Sequence, residues 1–118
     1  ERYSRERIVW ELLAENTPFY RQFFIAAKGR QIVGVAGVKA ADWALKTHLL
    51  YLSAVAPEMR GKGIGRALLD ARLEWIKRKF AAGRILVSTA RTKRFRECGF
   101  SELPDGEIEG RHLMLCRF

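Results

Sequence analysis

The most informative stretch of the sequence is residues 55–69, VAPEMRGKGIGRALL. An apolar run enters this stretch and stops at Pro57, and a helical pattern leaves it after Gly61, Gly63 and Gly65. The first amides of a helix have no acceptor within the helix and lie at the positive end of its dipole. Glycines let an anion approach such amides. Formal positive charge is added by Arg60, Lys62 and Arg66. The stretch therefore predicts a phosphate-binding turn between a strand and a helix.

Two well-known phosphate-binding loops do not fit this turn. The Walker pattern needs Gly-Lys followed by serine or threonine, whereas Lys62 is followed by Gly63. The dinucleotide pattern G-x-G-x-x-G needs a glycine at position 66 or 68, which hold Arg66 and Leu68. We therefore expect neither a P-loop nor a dinucleotide-binding fold.

Hydrophobic periodicity on both sides of the turn predicts alternating helices and strands. The expected order is a helix over residues 2–15, a hairpin of strands 19–27 and 31–40, a strand over 47–56, a helix over 63–82, a strand over 84–89, a short helix over 92–97, and closing strands 100–103 and 111–118 joined by a turn at 104–106. Hairpins mixed with helical crossovers predict a mixed α/β (α+β) domain.

Side-chain patterns indicate how two of these elements are placed. The strand 47–56 is apolar on both faces, with Leu50, Leu52 and Ala54 on one of them, which predicts a central position in the sheet. Gly34 and Gly37 predict a bulge or a close approach of another group. On the long helix an apolar stripe is formed by Leu69, Leu73, Ile76 and Phe80. A solvated basic face is expected from Arg72, Lys77, Arg78 and Lys79.

Composition places the chain among ordinary globular proteins. It has 118 residues, of which 48% are hydrophobic and 30% charged, and no apolar run approaches the roughly 20 residues of a membrane span. Cys98 and Cys116 lack metal-ligand spacing, so we expect neither a disulfide framework nor a metal site. Because the chain has only these two cysteines, we expect a cytoplasmic location. The net charge of +9 favours polyanions, for which coenzyme A and nucleic acid are the candidates, nucleic acid being the less favoured.

The turn resembles the acyl-CoA-binding signature of the GNAT superfamily of N-acyltransferases, R/Q-x-x-G-x-G/A, with Arg60, Gly63 and Gly65 on its defining positions. Residues 95–100, FRECGF, are similar to the family's Y-E-K-x-G-F element. The resemblance covers about residues 22–118. It implies a GNAT-like fold, with a central, mixed, largely antiparallel sheet flanked by helices. It also implies one acetyltransferase domain over residues 1–118 that lacks the first family strand.

The resemblance further implies acetyl-CoA or coenzyme A as cosubstrate and no metal. The positions that it assigns to the cosubstrate are Ser53, Ala54, Val55, Arg60, Gly61, Lys62, Gly63, Ile64, Gly65, Arg66 and Phe95. Amides of the turn would hold the pyrophosphate, and the backbone amide of Val55 or its neighbour would polarise the thioester carbonyl. A neutral amine would attack that carbonyl directly, without a covalent enzyme intermediate.

Two catalytic positions depart from the family pattern. Relatives often protonate the departing thiolate with a tyrosine where this chain has Phe95, which has no proton to donate. A general acid is worth about 10² to 10⁴ in rate, so its loss slows the reaction without forbidding it. Relatives with a glutamate base would place it near Leu49, and the nearby titratable candidates are His48 and Asp42. The choice between these two remains open.

The acceptor is expected to be a primary amine of a small metabolite. Residues 89–92, TART, resemble N-acetylglutamate synthases, and Arg91 would bind a substrate carboxylate there, which favours an amino acid. Two alternatives stay open, a catalytically degenerate acyl-CoA-binding module and an acetyltransferase of protein lysines or N-termini. A monomer or a homodimer is expected, with no membrane partner.

Overall fold

The computed structural model describes residues 20–118, so the helix predicted over residues 2–15 lies outside the described residues. The strands are β1 (Arg21–Lys28), β2 (Gln31–Ala40), β3 (Thr47–Val55), β4 (Arg84–Thr89), β5 (Ser101–Ile108) and β6 (Arg111–Arg117). The helices are α1 (Ile64–Lys79) and α2 (Thr92–Glu97), with a 3₁₀ turn at Pro57–Met59 before α1. The predicted order is confirmed for this part of the chain. Neither of these two helices is long and apolar enough to span a bilayer.

The strands form one sheet in the order β1-β2-β3-β4-β6-β5. Among residues 20–118, β3 and β4 are the one parallel pair, and the other neighbouring strands are antiparallel. A parallel pair needs a crossover, and α1 supplies it. The mixed, largely antiparallel sheet is therefore confirmed, with β3 in its interior as predicted.

The parallel pair is short. Residues 47–49 of β3 pair with residues 84–86 of β4, and the pairing then stops. β3 continues beside β2 as far as Val55, while β4 stays beside β6 as far as Thr89. The two strands therefore diverge toward their carboxyl ends and leave a gap in the sheet. In open sheets, ligands typically bind at such carboxyl ends.

Helix α1 packs its predicted apolar stripe on the sheet. Leu69, Leu73 and Ile76 are buried against sheet residues such as Val38 and Ile85. Burial of each such side chain contributes about 1.5–3 kcal/mol. The stripe also contains one charged residue.

The prediction that Arg72 is solvated is wrong. Its side chain is only 3% exposed, whereas Lys77, Arg78 and Lys79 are exposed as predicted. Arg72 lies three residues after Leu69, and residues at that spacing share one face of a helix. Its position on the stripe therefore outweighs the preference of its charge for water.

A bulge distorts β3 opposite Gly37. The register between β2 and β3 shifts between Ala36 and Gly37, and Leu52 is left without a partner residue in β2. Leu52 has a left-handed φ of 51°. Because a bulge interrupts the alternation of side chains, Leu52 is 52% exposed and does not share the buried face of Leu50, contrary to the prediction.

The glycines of β2 also allow close approaches, as predicted. A β-carbon on Gly37 would lie 2.8 Å from the ring of Tyr51. A β-carbon on Gly34 would lie 3.0 Å from Cγ2 of Ile64, in the first turn of α1. The second contact brings the start of α1 down onto the sheet.

The predicted turn at residues 104–106 is wrong. β5 runs through these residues to Ile108, although its pairing with β6 is interrupted across them and Asp105 has a φ of 57°. The hairpin turns at Glu109 and Gly110, with φ values of 52° and 82°. Positive φ at both central residues is typical of a two-residue type I′ turn, which matches the twist of the strands.

Candidate active site

The start of α1 presents backbone amides without acceptors. Gly63 precedes the helix with a left-handed φ of 84°, and no side chain caps it. The amide of Ala67 donates to the carbonyl of Gly63 at 3.0 Å. The amides of residues 64–66 find no acceptor among the described residues, and the first turn contains no acidic side chain. Such a helix start is a binding site for an anion.

These residues line a cavity of about 500 Å³, which we call the phosphate cavity. Its walls are Ser53, Ala54, Val55, Met59, Arg60, Gly61, Gly63, Ile64, Gly65, Arg91 and Arg94. The described lining thus contains three guanidinium groups and no carboxylate. Open amides together with arginines fit the diphosphate of coenzyme A, because both donate charge-assisted hydrogen bonds to phosphate oxygens.

The amide of Val55 points toward the gap. The next amide, that of Ala56, donates to the carbonyl of Val33 in β2 at 2.8 Å. Successive amides of a strand point to opposite edges, so the Val55 amide faces away from β2. The carbonyl of Val55 points the same way and accepts a hydrogen bond from Nε of Arg60 at 3.3 Å. This bond ties the turn to the end of β3.

Arg94 also contributes to the phosphate cavity, although it is not among the site residues expected from the sequence. Its Nη1 lies 2.8 Å from the position that a β-carbon on Gly65 would take, so the glycine lets the guanidinium lie against the first turn of α1. Burial and the positive charges of Arg91 and Arg66 lower the pKa of Arg94. A bound anion would relieve this repulsion. Arg91, the residue that precedes α2, lies three positions before Arg94, and this spacing was the signal that could have paired them.

Two of the predicted cationic side chains lie elsewhere. Arg66 pairs with Asp70 at 3.3 Å and with Glu97 at 3.4 Å, so its charge is balanced within the protein. Lys62 is exposed and is absent from the lining of the phosphate cavity. The positive charge at the turn therefore comes from Arg60, Arg91 and Arg94.

A deeper cavity of about 590 Å³, the deep cavity, extends from the phosphate cavity into the gap between β3 and β4. The two share Ser53, Gly65, Arg91 and Arg94. The deep cavity is also lined by Leu50, Tyr51, Leu52, Leu69, Arg72, Val87, Ser88, Thr89, Ala90, Phe95 and Arg111. An extended arm attached to a diphosphate at the turn can therefore reach the centre of the sheet.

A third cavity of about 680 Å³ meets the deep cavity at the gap, and its described lining includes no residue of α1. The residues common to both are Leu50, Tyr51, Leu52, Val87 and Ser88. The remaining walls come from Arg21, Lys39, Trp43, Leu49, Leu86 and Leu113. Two substrates that enter by different cavities can thus meet between β3 and β4.

Phe95 belongs to both the core and the deep cavity. It is 6% exposed, and its ring packs edge-on against Phe100 with 5.2 Å between the ring centroids. It forms an apolar wall of the deep cavity and supplies no proton.

The structure does not bring His48 and Asp42 to the gap. Both line another cavity, together with Tyr20 and Phe80, which shares only Trp43 among its described lining with the third cavity. His48 precedes Val55 by seven positions, which corresponds to roughly 20 Å of extended strand. Its Nδ1 lies 2.6 Å from the Tyr20 hydroxyl, and burial lowers the pKa of His48. The ring is therefore a neutral partner in a buried contact.

The three cavities that meet at the turn and the gap contain no histidine, aspartate or glutamate among their described lining residues. Within residues 20–118 there is also no cluster of three or more histidine, cysteine, aspartate or glutamate side chains that could hold a metal ion. The described surface of the gap therefore carries cationic, apolar and hydroxyl side chains, the last including Tyr51 and Ser88, and no carboxylate.

The sequence matches the model of the acetyltransferase (GNAT) family over residues 1–100. The chain belongs to the GNAT acetyltransferase family. It is accordingly an acyl-CoA-dependent N-acyltransferase, and the GNAT-like fold expected from its turn is confirmed. A search among curated proteins found no match.

Solved structures share the fold of this GNAT acetyltransferase. The PaiA N-acetyltransferase of Thermoplasma acidophilum, in complex with coenzyme A, is 18% identical with a TM-score of 0.71, covering 98% of this chain and 72% of its own. The IAA acetyltransferase of Bacillus cereus is 20% identical with a TM-score of 0.70, covering 98% and 85%. Rv2747 of Mycobacterium tuberculosis, in complex with CoA and NLQ, is 20% identical with a TM-score of 0.69, covering 82% and 76%.

Proposed function

We propose that this enzyme transfers an acetyl group from acetyl-CoA to the primary amine of a small metabolite, with an amino acid as the favoured class. The observation that carries the proposal is the open start of α1, where the amides of residues 64–66 meet Arg60, Arg91 and Arg94. This site lies at the diverging ends of β3 and β4, where a long substrate arm has room to enter the sheet.

The turn would hold the diphosphate of the donor. The amides of residues 64–66 would donate to its oxygens, while Arg60, Arg91 and Arg94 would balance its charge. Ser53 to Val55 would pair with the pantetheine arm through the edge of β3 that faces away from β2. The arm would then end in the deep cavity, beside Phe95 and the bulge at Leu52.

When bound, acetyl-CoA supplies an electrophilic thioester carbonyl. The amide of Val55, or of a neighbour on the same edge of β3, would donate a hydrogen bond to the oxygen on which negative charge develops. The protein provides this donor from a fixed strand, so little reorganisation accompanies the reaction. No side chain of the chain needs to form a covalent bond with the acetyl group.

The acceptor amine must be neutral to attack. A pKa of about 7.7–8.0 applies to the α-amino group of a peptide N-terminus. The carboxylate of a free amino acid raises the pKa of its amine above that range, and nearby positive charge lowers it. Besides Arg91 and Arg94, which it shares with the phosphate cavity, the deep cavity carries Arg72 and Arg111. This cationic lining would bind the carboxylate of an amino acid and at the same time favour its neutral amine.

The proposal is tested by the release of free thiol from acetyl-CoA with a panel of amines, including amino acids, their amides and lysine-containing peptides. Faster release with amino acids than with peptides is the expected result. Thiol release with peptides alone would favour a protein acetyltransferase. Tight coenzyme A binding without thiol release would leave a catalytically degenerate binding module, and the absence of binding at millimolar coenzyme A would refute the proposal.

A further inference from the structure

Arg72 lies at the deep end of the gap in an unusual setting for a charged residue. Its side chain is 3% exposed and lines the deep cavity. Nε donates to the carbonyl of Leu68 at 3.3 Å, one turn earlier in α1, and Nη1 donates to the carbonyl of Gly37 at 3.2 Å. These two bonds hold the guanidinium between α1 and the bulged pair β2 and β3.

The charge of Arg72 is not balanced by the described protein. A guanidinium has five donor hydrogens, and Nη2 makes no hydrogen bond within residues 20–118. No described carboxylate pairs with it. Burial lowers the pKa of Arg72 to about 10, so the group is still charged at neutral pH. A buried charge without a counter-ion is costly, and native proteins pair such charges.

The diphosphate of the donor does not account for Arg72. Arg91 and Arg94 line both the phosphate cavity and the deep cavity, so phosphate oxygens can balance their charge. Arg72 lines the deep cavity and is absent from the described lining of the phosphate cavity. Arg111 also lines the deep cavity, but it is exposed and donates to the carbonyl of Ser88. Arg72 therefore needs an anion that enters the gap itself.

We propose that Arg72 is a specificity-determining residue that binds a carboxylate carried by one of the two substrates. The planar fork of a guanidinium matches a carboxylate with two parallel hydrogen bonds. The inference rests on the proposed function, because it takes the deep cavity to be the place where the substrates meet. The carboxylate has two sources, the acyl group of a dicarboxylic acyl-CoA and the acceptor amino acid.

The experiment compares carboxylate and neutral forms of each substrate. In the donor arm, calorimetry measures binding of succinyl-CoA and butyryl-CoA. In the acceptor arm, calorimetry with coenzyme A present and thiol release from acetyl-CoA compare amino acids with their primary amides. Arg72→Met removes the charge from a long unbranched side chain, and Arg72→Lys keeps the charge without the fork. Arg78→Met is the control, because Arg78 lies on the exposed face of the same helix and pairs with Glu74.

In one arm the wild type should prefer the carboxylate form. Arg72→Met should lower that preference about 10- to 100-fold, the range of a charge-assisted hydrogen bond, with little change for the neutral form. Arg72→Lys should retain part of the preference, and Arg78→Met should retain all of it. The arm that responds identifies the source of the carboxylate.

A loss of equal size for carboxylate and neutral forms would show that Arg72 only supports the bulge, and it would overturn the proposal. Absence of a wild-type preference in both arms would overturn it as well. Thermal unfolding verifies that each variant is folded, and Arg72→Lys carries the test if Arg72→Met does not fold. Because calorimetry needs no turnover, failure of acetyl transfer with every amine would reject the proposed function while the binding preference of Arg72 is still measured.

Discussion

Replacing Arg94 with glutamine separates binding of the donor from stability of the fold. Arg94 lies against Gly65 at the start of α1, and its pKa is lowered by burial and by the charges of Arg91 and Arg66. Its positive charge is thus unfavourable in the free protein and favourable beside a phosphate. Arg94→Gln should therefore weaken coenzyme A binding without destabilising the free protein.

The size of the effect follows from the position of the guanidinium. Two unit charges about 4 Å apart attract by about 4 kcal/mol at an effective dielectric constant of 20. Arg94 is only half-buried, so solvent screening reduces the net value toward the lower end of a charged hydrogen bond, about 1.5 kcal/mol. We expect the Kd for coenzyme A to rise about tenfold.

Two measurements test this expectation together. Calorimetry gives the Kd, and thermal unfolding gives the Tm with and without saturating coenzyme A. A tenfold weaker Kd removes about 1.4 kcal/mol of ligand stabilisation, which for a domain of this size makes the ligand-induced rise in Tm roughly 4–8 °C smaller. The Tm of the free variant should equal or exceed that of the wild type. Arg78→Gln is the matched control, because it removes the same charge from an exposed site near the other end of α1.

If Arg94→Gln changes the Kd no more than Arg78→Gln does, Arg94 does not bind the diphosphate. If Arg94→Gln lowers the Tm of the free protein by several degrees, the guanidinium stabilises the fold and not the ligand.

Four further predictions concern three positions. Gly65→Ala places a β-carbon 2.8 Å from Nη1 of Arg94 and should weaken coenzyme A binding about as much as Arg94→Gln does. The double variant should bind little more weakly than either single variant, and additive losses would contradict a shared cause. Gly63→Ala forces a side chain into a φ of 84° and should lower the free energy of unfolding in urea by about 1–2 kcal/mol, so an unchanged urea midpoint would refute the strain. Burial lowers the pKa of His48 below its unfolded value of about 6.5, so the unfolded state binds a proton first as the pH falls. The wild type should therefore lose stability below about pH 6.5, and His48→Gln should lack this contribution to the loss. The rate of acetyl transfer by His48→Gln at pH 7.5 should also stay within about twofold of the wild-type rate. Loss of acetyl transfer in this variant would support His48 as the base.

The glycine-rich turn before α1 was predictable because its causes are local. A strand, a proline and closely spaced glycines in residues 55–69 specify the turn without help from distant residues. Gly61 and Gly63 both adopt positive φ in the structure, at 78° and 84°. The divergence of β3 and β4 was not predictable in this way, because it depends on how β4 pairs with β6.

The errors arose where two local signals competed. Arg72 carries a charge typical of a solvated face, but its spacing from Leu69 places it on the core stripe, and the packing of α1 decided its position. Pro104, Asp105 and Gly106 form a strong turn signal, yet the hairpin turns at residues 109–110. The contact of Arg94 with Gly65 joins residues far apart in sequence, so periodicity alone gave no sign of it.

The proposed mechanism depends on main-chain donors at the start of α1 that bind the diphosphate of coenzyme A. Nitrogen–proton correlation spectra recorded during a coenzyme A titration follow the chemical shifts of these amides. We expect large, saturable shifts for the amides of Ile64, Gly65 and Arg66, with the same Kd as calorimetry. If these amides do not shift and the changes centre instead on the cavity around His48, the diphosphate does not bind at this turn.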